Sequence, residues 1–262
     1  MKERHRMEET MNADYSLRIS DEQRRLYRDE GYMFLEKAIP DRDLEMLRSE
    51  CASLVRAQDE EMERKGTDVL NLSRKNSRYF VFLAYRDRPQ LGSFIFSDLM
   101  AEICKATIGK DAMLFWEQFV VKGTDKKGAE FGWHQDSGYV DHPHRPYVNA
   151  WIPLDDVNEE NGTISVLPFS RAGVREKVEH KPVPNSSDRV GYFGNDPGIS
   201  FNAPAGSIAV FSSVTFHRSG ANATSKMRRA YAVQWSPDTI YEPDGSLKGL
   251  AEQFLKDGRR VR

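Results

Sequence analysis

The half of the chain that follows Asp111 constrains the fold most strongly. It consists of short segments rich in aromatic and β-branched residues, such as MLFWEQFVVK, YVNAWIPL and SIAVFSS. Glycine, proline and asparagine separate these segments at short intervals. Such residues favour strands, and such punctuation is typical of all-β folds. This half is therefore predicted to form a β-sandwich or a β-barrel.

The first hundred residues carry helical signals instead. A capping box at Ser20 and Gln23 predicts a short helix over 21–30. Asp41 opens a longer helix that runs to about Lys65, with an apolar stripe along one side. The other elements predicted before residue 112 are strands within GYMFLEKAI and SRYFVFLAY and a helix from about Ser97 to Gly109. The helices are expected to pack outside the β-rich half.

The chain is predicted to form a single domain, because no internal repeat or linker divides it. This domain spans residues 20–262, with a β-rich core over about 112–236. Residues 1–19 are polar and aperiodic, so they are expected to form a flexible tail. The predicted fold class is mainly β with flanking helices.

The composition restricts the class of partner. A formal net charge of -2 on 262 residues provides no field that favours nucleic acid, so a small molecule or another protein is expected. No apolar run approaches the roughly 18 residues of a membrane span, and no secretory leader is recognised. Cys51 and Cys104 fall in apolar helical patterns and are predicted to be buried thiols. So few cysteines fit a reducing compartment, and a cytoplasmic location is expected.

The segment WHQDSGYV raises the question of a metal site, because His134 and Asp136 stand two residues apart in a predicted strand. Side chains at i and i+2 of a strand point to the same face. Such a pair could hold a metal; the alternative is a hydrogen-bonded core histidine beside a surface carboxylate. Two histidines with one carboxylate are typical of non-haem Fe(II) sites, so a second histidine is required.

His217 is the best candidate for that third ligand. It stands at the end of a predicted strand, just before a turn, in FSSVTFHRSGAN. The other histidines lie in the tail, in a polar stretch or in the loop DHPHRP. That loop offers a rival metal set, which consists of Asp141, His142 and His144.

Arg228 is predicted to bind an anion. It lies eleven residues after His217, and strand alternation places it on one face with Ala232 and Gln234, where small residues leave room for a ligand. An arginine inside a barrel requires an anion, because an unpaired buried charge is costly. Its planar guanidinium suits a carboxylate. Arg229, on the face with the bulky residues, is the competitor for this role.

The segments WHQDSGYV, NGTISVLPFS and FHRSGANATSKMRRAY resemble the phytanoyl-CoA dioxygenase family of Fe(II)/2-oxoglutarate oxygenases. The resemblance covers roughly residues 20–236 and is strongest over 112–236. It implies a double-stranded β-helix, which is a cupin-like jelly-roll barrel, and it implies Fe(II), 2-oxoglutarate and O2 as cofactor and cosubstrates. The sequence departs at LPFSR, where relatives often read Leu-Pro-Gly-Ser-His, and this departure concerns the local turn.

The resemblance also assigns residues. It implies that His134, Asp136 and His217 bind iron. It implies that Arg228 binds the far carboxylate of 2-oxoglutarate. Other positions that match cosubstrate contacts of relatives are Ser219, Gln118 and Trp151. The implied reaction is hydroxylation, or another oxidation, of an unactivated C–H bond with release of succinate and CO2; desaturation, ring closure and epimerisation begin in the same way.

The substrate is less defined. The family spans acyl thioesters, amino-acid derivatives and secondary metabolites, and nothing in the sequence marks a CoA-binding surface. The loop 141–146 and the long polar connection 176–198 are candidate lids. Residues predicted to lie near a substrate are Tyr139, His142, His144 and Arg145. Arginines that could meet an anionic substrate are Arg145, Arg171 and Arg189.

Two other classes of function remain open at this stage. A cupin-like hydrolase or isomerase with Zn(II) or Mn(II) would require neither Arg228 nor 2-oxoglutarate. A non-catalytic small-molecule binder is the third class. Halogenation is disfavoured, because Asp136 occupies the coordination position that a halide would need.

Overall fold

The computed structural model of the chain describes residues 19–124, 130–184 and 186–262. The predicted tail, residues 1–19, lies outside the described residues except for Ile19.

The helices before residue 112 agree with most of the sequence predictions. The helices of the described ranges are α1 (Asp21–Glu30), α2 (Asp41–Lys65), α3 (Pro89–Ile95), α4 (Asp98–Thr107) and α5 (Phe169–Ala172). At the start of α1, the backbone N–H of Gln23 donates to Ser20 Oγ at 3.1 Å, so the predicted capping box is confirmed. Gly31 ends α1 in the left-handed conformation at φ 82°. Sequence reasoning did not reveal α3.

The β-rich half is confirmed, and its strands are all antiparallel. The strands up to residue 167 are β1 (Tyr32–Leu35), β2 (Val69–Leu70), β3 (Ser73–Arg74), β4 (Arg78–Phe82), β5 (Ala112–Lys122), β6 (Phe131–His134), β7 (Val148–Pro153) and β8 (Ile164–Leu167). The later strands are β9 (Lys181–Pro182), β10 (Arg189–Val190), β11 (Ile199–Ser200), β12 (Ile208–Ser212), β13 (Phe216–Ser219), β14 (Arg228–Ser236), β15 (Glu252–Lys256) and β16 (Arg259–Arg260).

Two sheets enclose the centre of the molecule. The larger sheet runs in the order β1-β12-β7-β14-β5-β4-β3-β2, with β15 attached to β5 and β16 to β15. The smaller sheet runs in the order β11-β8-β13-β6. Side chains from both sheets line one cavity, so the sheets face each other across it. A jelly roll has this arrangement of two antiparallel sheets.

Alternation along β14 determines which side chains face the helices. Tyr231, Val233 and Trp235 join the main hydrophobic core together with residues of α2, α3 and α4. On the opposite face, Ala232 and Gln234 line the central cavity. The predicted division of this strand into a bulky outer face and a small inner face is therefore confirmed. The predicted packing of helices outside the sheets follows from the same division.

Glu117 is a buried carboxylate on the outer face of β5. The backbone N–H of Tyr85 donates to its Oε1 at 3.0 Å, and its Oε2 has no hydrogen-bond partner among the described residues. Burial raises the pKa of Glu117 from 4.5 to about 7. Between these two pH values the folded chain holds a proton that the unfolded chain releases, so Glu117 lowers stability as the pH rises.

Glu117→Gln should therefore stabilise the protein at pH 8 relative to wild type, and should do so much less at pH 5. The increase in the free energy of unfolding that Glu117→Gln produces should be larger at pH 8 than at pH 5 by about 3 kcal/mol. This difference corresponds to the raised pKa of Glu117. Urea unfolding at both pH values measures it. Glu60→Gln, on the exposed face of α2, is the control and should change stability equally at both values. A gain from Glu117→Gln that is the same at both pH values would contradict the explanation.

None of the helices in the described ranges has both the length and the apolar character needed to cross a membrane.

Cys51 and Cys104 are free and buried, as predicted.

Candidate metal and cosubstrate site

The three predicted metal ligands converge between the sheets. Ligand atoms of His134, Asp136 and His217 all lie within 4.8 Å of one another. The Oδ1 of Asp136 lies 3.8 Å from His134 Nε2 and 3.6 Å from His217 Nε2. His134 and His217 come together because they are cross-strand partners of β6 and β13. No other such cluster of three or more ligand residues occurs within residues 19–124, 130–184 and 186–262.

The local structure around Asp136 differs from the prediction. The strand ends at His134, and Asp136 begins a 3₁₀ turn that spans Asp136–Tyr139. Gln135 between them keeps an extended backbone, with φ -109° and ψ 138°. Because this one residue is extended, the two ligands still point the same way, although they do not share a strand.

Both histidines present Nε2 to the site. The Nδ1 atom of His134 lies 2.8 Å from the carbonyl oxygen of Gly132, and that of His217 lies 3.2 Å from the carbonyl oxygen of Thr215. A backbone acceptor at Nδ1 holds the proton there and leaves the lone pair of Nε2 for a metal. Burial lowers the pKa of both imidazoles to about 4, so the rings are neutral. The carboxylate is held as well, since Gln234 Nε2 donates to Asp136 Oδ2 at 3.2 Å.

The rival metal set in the loop 141–144 does not form. Both ring nitrogens of His144 have partners, which are Ser137 Oγ at 2.9 Å and the carbonyl oxygen of His142 at 2.8 Å. Asp141 forms an ion pair with Arg189 at 3.2 Å. The ligand atoms of Asp141 and His144 are therefore committed to other contacts.

Arg228 and Arg229 differ in whether a carboxylate of the chain already pairs with the guanidinium. Arg229 donates to both carboxylate oxygens of Asp155, at 3.1 and 2.6 Å. Arg228 is only 1% exposed; its Nη1 reaches the carbonyl oxygen of Val120 at 3.3 Å and its Nε has no partner in the described residues. Burial lowers the pKa of Arg228 to about 10, which leaves it charged at neutral pH. A buried cation with an unsatisfied donor fits the carboxylate of a cosubstrate.

The other predicted cosubstrate residues surround the same space. The guanidinium of Arg228 lies 5.4 Å from the ring centroid of Trp151. Trp151, Gln118 and Ser219 line a cavity of about 110 Å³ together with Arg228.

 His134, Asp136 and His217, the predicted iron ligands, line this small cavity too. The predicted metal ligands and the predicted anion-binding arginine therefore share one cavity.

Lys122, which sequence reasoning missed, adjoins this cavity through Ser219. It is 1% exposed, its Nζ donates to Ser219 Oγ at 2.8 Å, and it lies opposite Arg228 in the register of β5 and β14. Burial and the charge of Arg228 lower the pKa of Lys122 well below its usual value. Alternation along the strand could have revealed it. Lys122 follows Gln118 by four residues on one strand, and an even spacing places both side chains on the same face of the sheet.

Lys122→Met should weaken 2-oxoglutarate binding about tenfold while leaving the free protein at least as stable as wild type. The substitution removes a charge that would attract the cosubstrate, and it also removes repulsion between two buried cations. Calorimetric titration of 2-oxoglutarate in the presence of Zn(II), with a thermal melt of the free protein, measures both effects. Lys110→Met, at an exposed position, is the control. Unchanged affinity in Lys122→Met would exclude this role.

Comparison with known proteins decides the family. The family model of phytanoyl-CoA dioxygenase (PhyH) matches residues 27–230, which is most of the chain. The chain belongs to the phytanoyl-CoA dioxygenase family of Fe(II)/2-oxoglutarate-dependent oxygenases. A family member similar to it is the probable phytanoyl-CoA dioxygenase of Caenorhabditis elegans, which is 23% identical over 92% of this chain and 84% of that protein.

Solved structures agree with the fold expected of the phytanoyl-CoA dioxygenase family. The non-heme alpha ketoglutarate dependent carbocyclase SnoK from nogalamycin biosynthesis has a TM-score of 0.65 and 20% identity, over 89% of this chain and 93% of that chain. EctD from S. alaskensis, solved with 2-oxoglutarate and 5-hydroxyectoine, has a TM-score of 0.64 and 17% identity, over 87% of this chain and 80% of that chain. The predicted jelly-roll class is confirmed.

The departure from the family pattern at LPFSR lies away from the metal ligands. Phe169 packs against the end of α1, where a Cβ on Gly31 would come within 2.5 Å of its ring. Arg171 forms an ion pair with Asp196. Neither residue lines the two cavities that adjoin the metal ligands.

The predicted substrate residues of this family member do not all reach the site. Tyr139 lines a larger cavity that also reaches His134 and Asp136. The other three, His142, His144 and Arg145, do not line that cavity, and their contact with a substrate stays a prediction.

The connection 176–198, a predicted lid, is tied to the turn that carries Asp136. The backbone N–H of Gln135 donates to His180 Nε2 at 2.9 Å, and Lys177 Nζ donates to the carbonyl oxygen of Val140 at 2.6 Å. Arg189 Nη1 donates to the carbonyl oxygen of Gly138 at 2.7 Å. These contacts fix the turn next to a ligand residue, and lid motion stays a prediction.

Proposed function

We propose that His134, Asp136 and His217 bind Fe(II) and that Arg228 binds the distal carboxylate of 2-oxoglutarate. The observation that carries this proposal is the position of an anion-free buried guanidinium in the same small cavity as three converging ligand side chains. The cupin-like hydrolase or isomerase of the alternative assignment does not require such a cation. Ser219 and Lys122 assist Arg228, and Gln118 and Trp151 form the walls around the cosubstrate.

The bound iron, with 2-oxoglutarate and O2, supplies an oxidation in which the oxoacid becomes succinate and CO2 while a C–H bond of the substrate is oxidised. The residues of the chain provide geometry and exclude water. His134 and His217 enter as neutral ligands because backbone carbonyls hold their Nδ1 protons. Gln234 holds the carboxylate of Asp136. Trp151 and Phe211 keep water away from the small cavity.

The product of this oxidation is proposed to be an alcohol formed from a small molecule. Desaturation, ring closure and epimerisation start from the same loss of a hydrogen atom and would use the same residues. Chlorination is not expected, since Asp136 fills the coordination position that a halide needs.

An anaerobic titration tests the proposed function directly. Fe(II) followed by 2-oxoglutarate should produce the weak visible charge-transfer absorption expected of Fe(II) chelated by a 2-oxo acid. Aerobic turnover should then release succinate. Tight binding of Zn(II) or Mn(II) with neither the absorption nor succinate would favour a cupin-like hydrolase or isomerase. A metal site that never yields succinate would favour a non-catalytic binder.

A cytoplasmic location and a single domain over residues 20–262 stay predictions. The free, buried thiols of Cys51 and Cys104 support a reducing compartment. Fluorescence microscopy of the tagged chain tests the location, and limited proteolysis tests the domain boundaries.

A further inference from the structure

A second cavity opens beside the metal ligands and is the natural place for a substrate. It has a volume of about 470 Å³, and it shares His134, Asp136, Gln118 and Gln234 with the smaller cavity. Cavities of roughly 300–1,000 Å³ accommodate molecules of drug size. A molecule in this cavity would therefore reach His134 and Asp136, whereas Arg228 lines the smaller cavity and not this one.

The walls of this cavity are aromatic. The aromatic side chains that line it are Phe80, Phe82, Phe115, Trp116, Phe131, Tyr139 and Tyr147. Phe82 links several of them, since its ring centroid lies 5.8 Å from that of Phe80 and 5.6 Å from that of Trp116. At the rim, Leu72 and Leu247 are 38% and 49% exposed, so the apolar surface continues outward. Such walls favour flat rings over flexible polar chains.

The charged groups of the lining disfavour an anion. Lys248 is the one lysine or arginine of the lining among the described residues, and its Nζ is paired with Glu242 at 2.6 Å. Asp188 also lines the cavity, and no hydrogen bond or ion pair from a described residue reaches its carboxylate. The rim therefore carries an excess negative charge, which repels anions and attracts cations.

The arginines that the sequence offered for an anionic substrate are engaged elsewhere. Arg145 pairs with Asp238 at 3.3 Å, and Arg189 pairs with Asp141 at 3.2 Å. Arg171 pairs with Asp196. None of the three lines the cavity. The phosphates of a CoA thioester would consequently find no free cation at its rim.

We propose that the substrate is a ring-containing, largely apolar molecule whose polar end is neutral or cationic and not anionic. The rings lie against Phe82 and Trp116, and the polar end lies at Asp188. This assignment rests on the proposed function, because it places the C–H bond to be oxidised next to His134 and Asp136.

Three naphthalene probes with one ring system and different charges test this proposal. Calorimetry measures the binding of 2-naphthalenemethanol, 2-naphthylmethylammonium and 2-naphthoate to the protein with Zn(II) and saturating 2-oxoglutarate, which keeps naphthoate away from Arg228. The alcohol and the ammonium should bind at least about tenfold more tightly than the carboxylate. Equal or tighter binding of naphthoate, tighter binding of octanoyl-CoA, or no binding of any ring probe would overturn the proposal.

Two pairs of variants locate the bound probe. Phe82→Ala should weaken the ring probes about tenfold, while Phe193→Ala, at an aromatic residue that is 66% exposed and outside the cavity, should not. Asp188→Lys should reverse the order of the ammonium and the carboxylate, while Glu60→Lys on the exposed face of α2 should leave it unchanged. If Phe82→Ala and Phe193→Ala behave alike, the rings bind elsewhere.

The failure of this proposal can be distinguished from the failure of the proposed function. The probes can also be titrated into the metal-free protein, in which case binding that depends on Phe82 does not involve iron. If 2-oxoglutarate binds and produces the charge-transfer absorption but the probes do not bind, only the substrate class is wrong. If the probes bind as expected but no such absorption forms, the oxygenase assignment is wrong and the cavity remains a ring-binding site.

Discussion

Asp136→Ala is expected to remove tight Fe(II) binding and all succinate formation. The substitution deletes the single carboxylate of the ligand set and leaves two neutral imidazoles, so the affinity for the metal should fall at least about 100-fold. The fold should survive, because Asp136 lies on a short turn that is held by its neighbours, including Gln135 through His180. Anaerobic Fe(II) titration followed by metal analysis after desalting measures the loss.

Asp141→Ala is the matched control for this experiment. Asp141 stands five residues away, is exposed and belongs to the rival metal set. It should retain wild-type metal affinity and succinate formation. A loss of iron in Asp141→Ala with retention in Asp136→Ala would transfer the metal to the loop and refute the assigned ligands.

Arg228→Ala is expected to raise the dissociation constant of 2-oxoglutarate about 100-fold or more, which corresponds to about 3 kcal/mol. The distal carboxylate would lose the only buried guanidinium that faces it among the described residues, while the metal ligands remain. Affinity for Zn(II) should change little. Calorimetric titration of 2-oxoglutarate into the Zn(II)-loaded protein gives both values.

Selectivity provides a stricter test of Arg228. Wild type should prefer 2-oxoglutarate to 2-oxovalerate, which lacks the distal carboxylate, and Arg228→Ala should lose most of that preference. Arg229→Ala should keep it, because Arg229 is already paired with Asp155 and belongs to the outer face of its strand. If Arg229→Ala, and not Arg228→Ala, abolishes the preference, the two arginines have been assigned in the wrong order.

The arrangement of charges around Arg228 explains why these effects should be large. Lys122 lies directly opposite Arg228 in the sheet, and no carboxylate of the described residues bonds to either group. Two basic groups held together in a buried place cost free energy in the empty protein, either as repulsion between two charges or as loss of the proton from Lys122. A dianionic cosubstrate would relieve that cost, so we expect the site to be selective for a second carboxylate.

The sequence by itself determined the class of fold, and it was enough to predict the proposed ligand set and the proposed anion anchor. His134, Asp136, His217 and Arg228 were identifiable because their spacings along predicted strands express local rules, such as alternation of faces and turns at strand ends. The helices α1 and α2 were likewise predictable from capping signals and an apolar stripe, which act within a few residues.

Only the tertiary structure showed that Arg229 already has an anionic partner, revealed Lys122 and formed the aromatic cavity. Asp155, which neutralises Arg229, lies 74 residues from it in the chain, and Ser219 lies 97 residues from Lys122. The cavity joins Phe82 of β4 with Trp116 of β5 and with Leu247 near the C-terminus. Contacts between such distant segments depend on which strands pair and in which register, and local patterns do not specify which of several distant strands become neighbours.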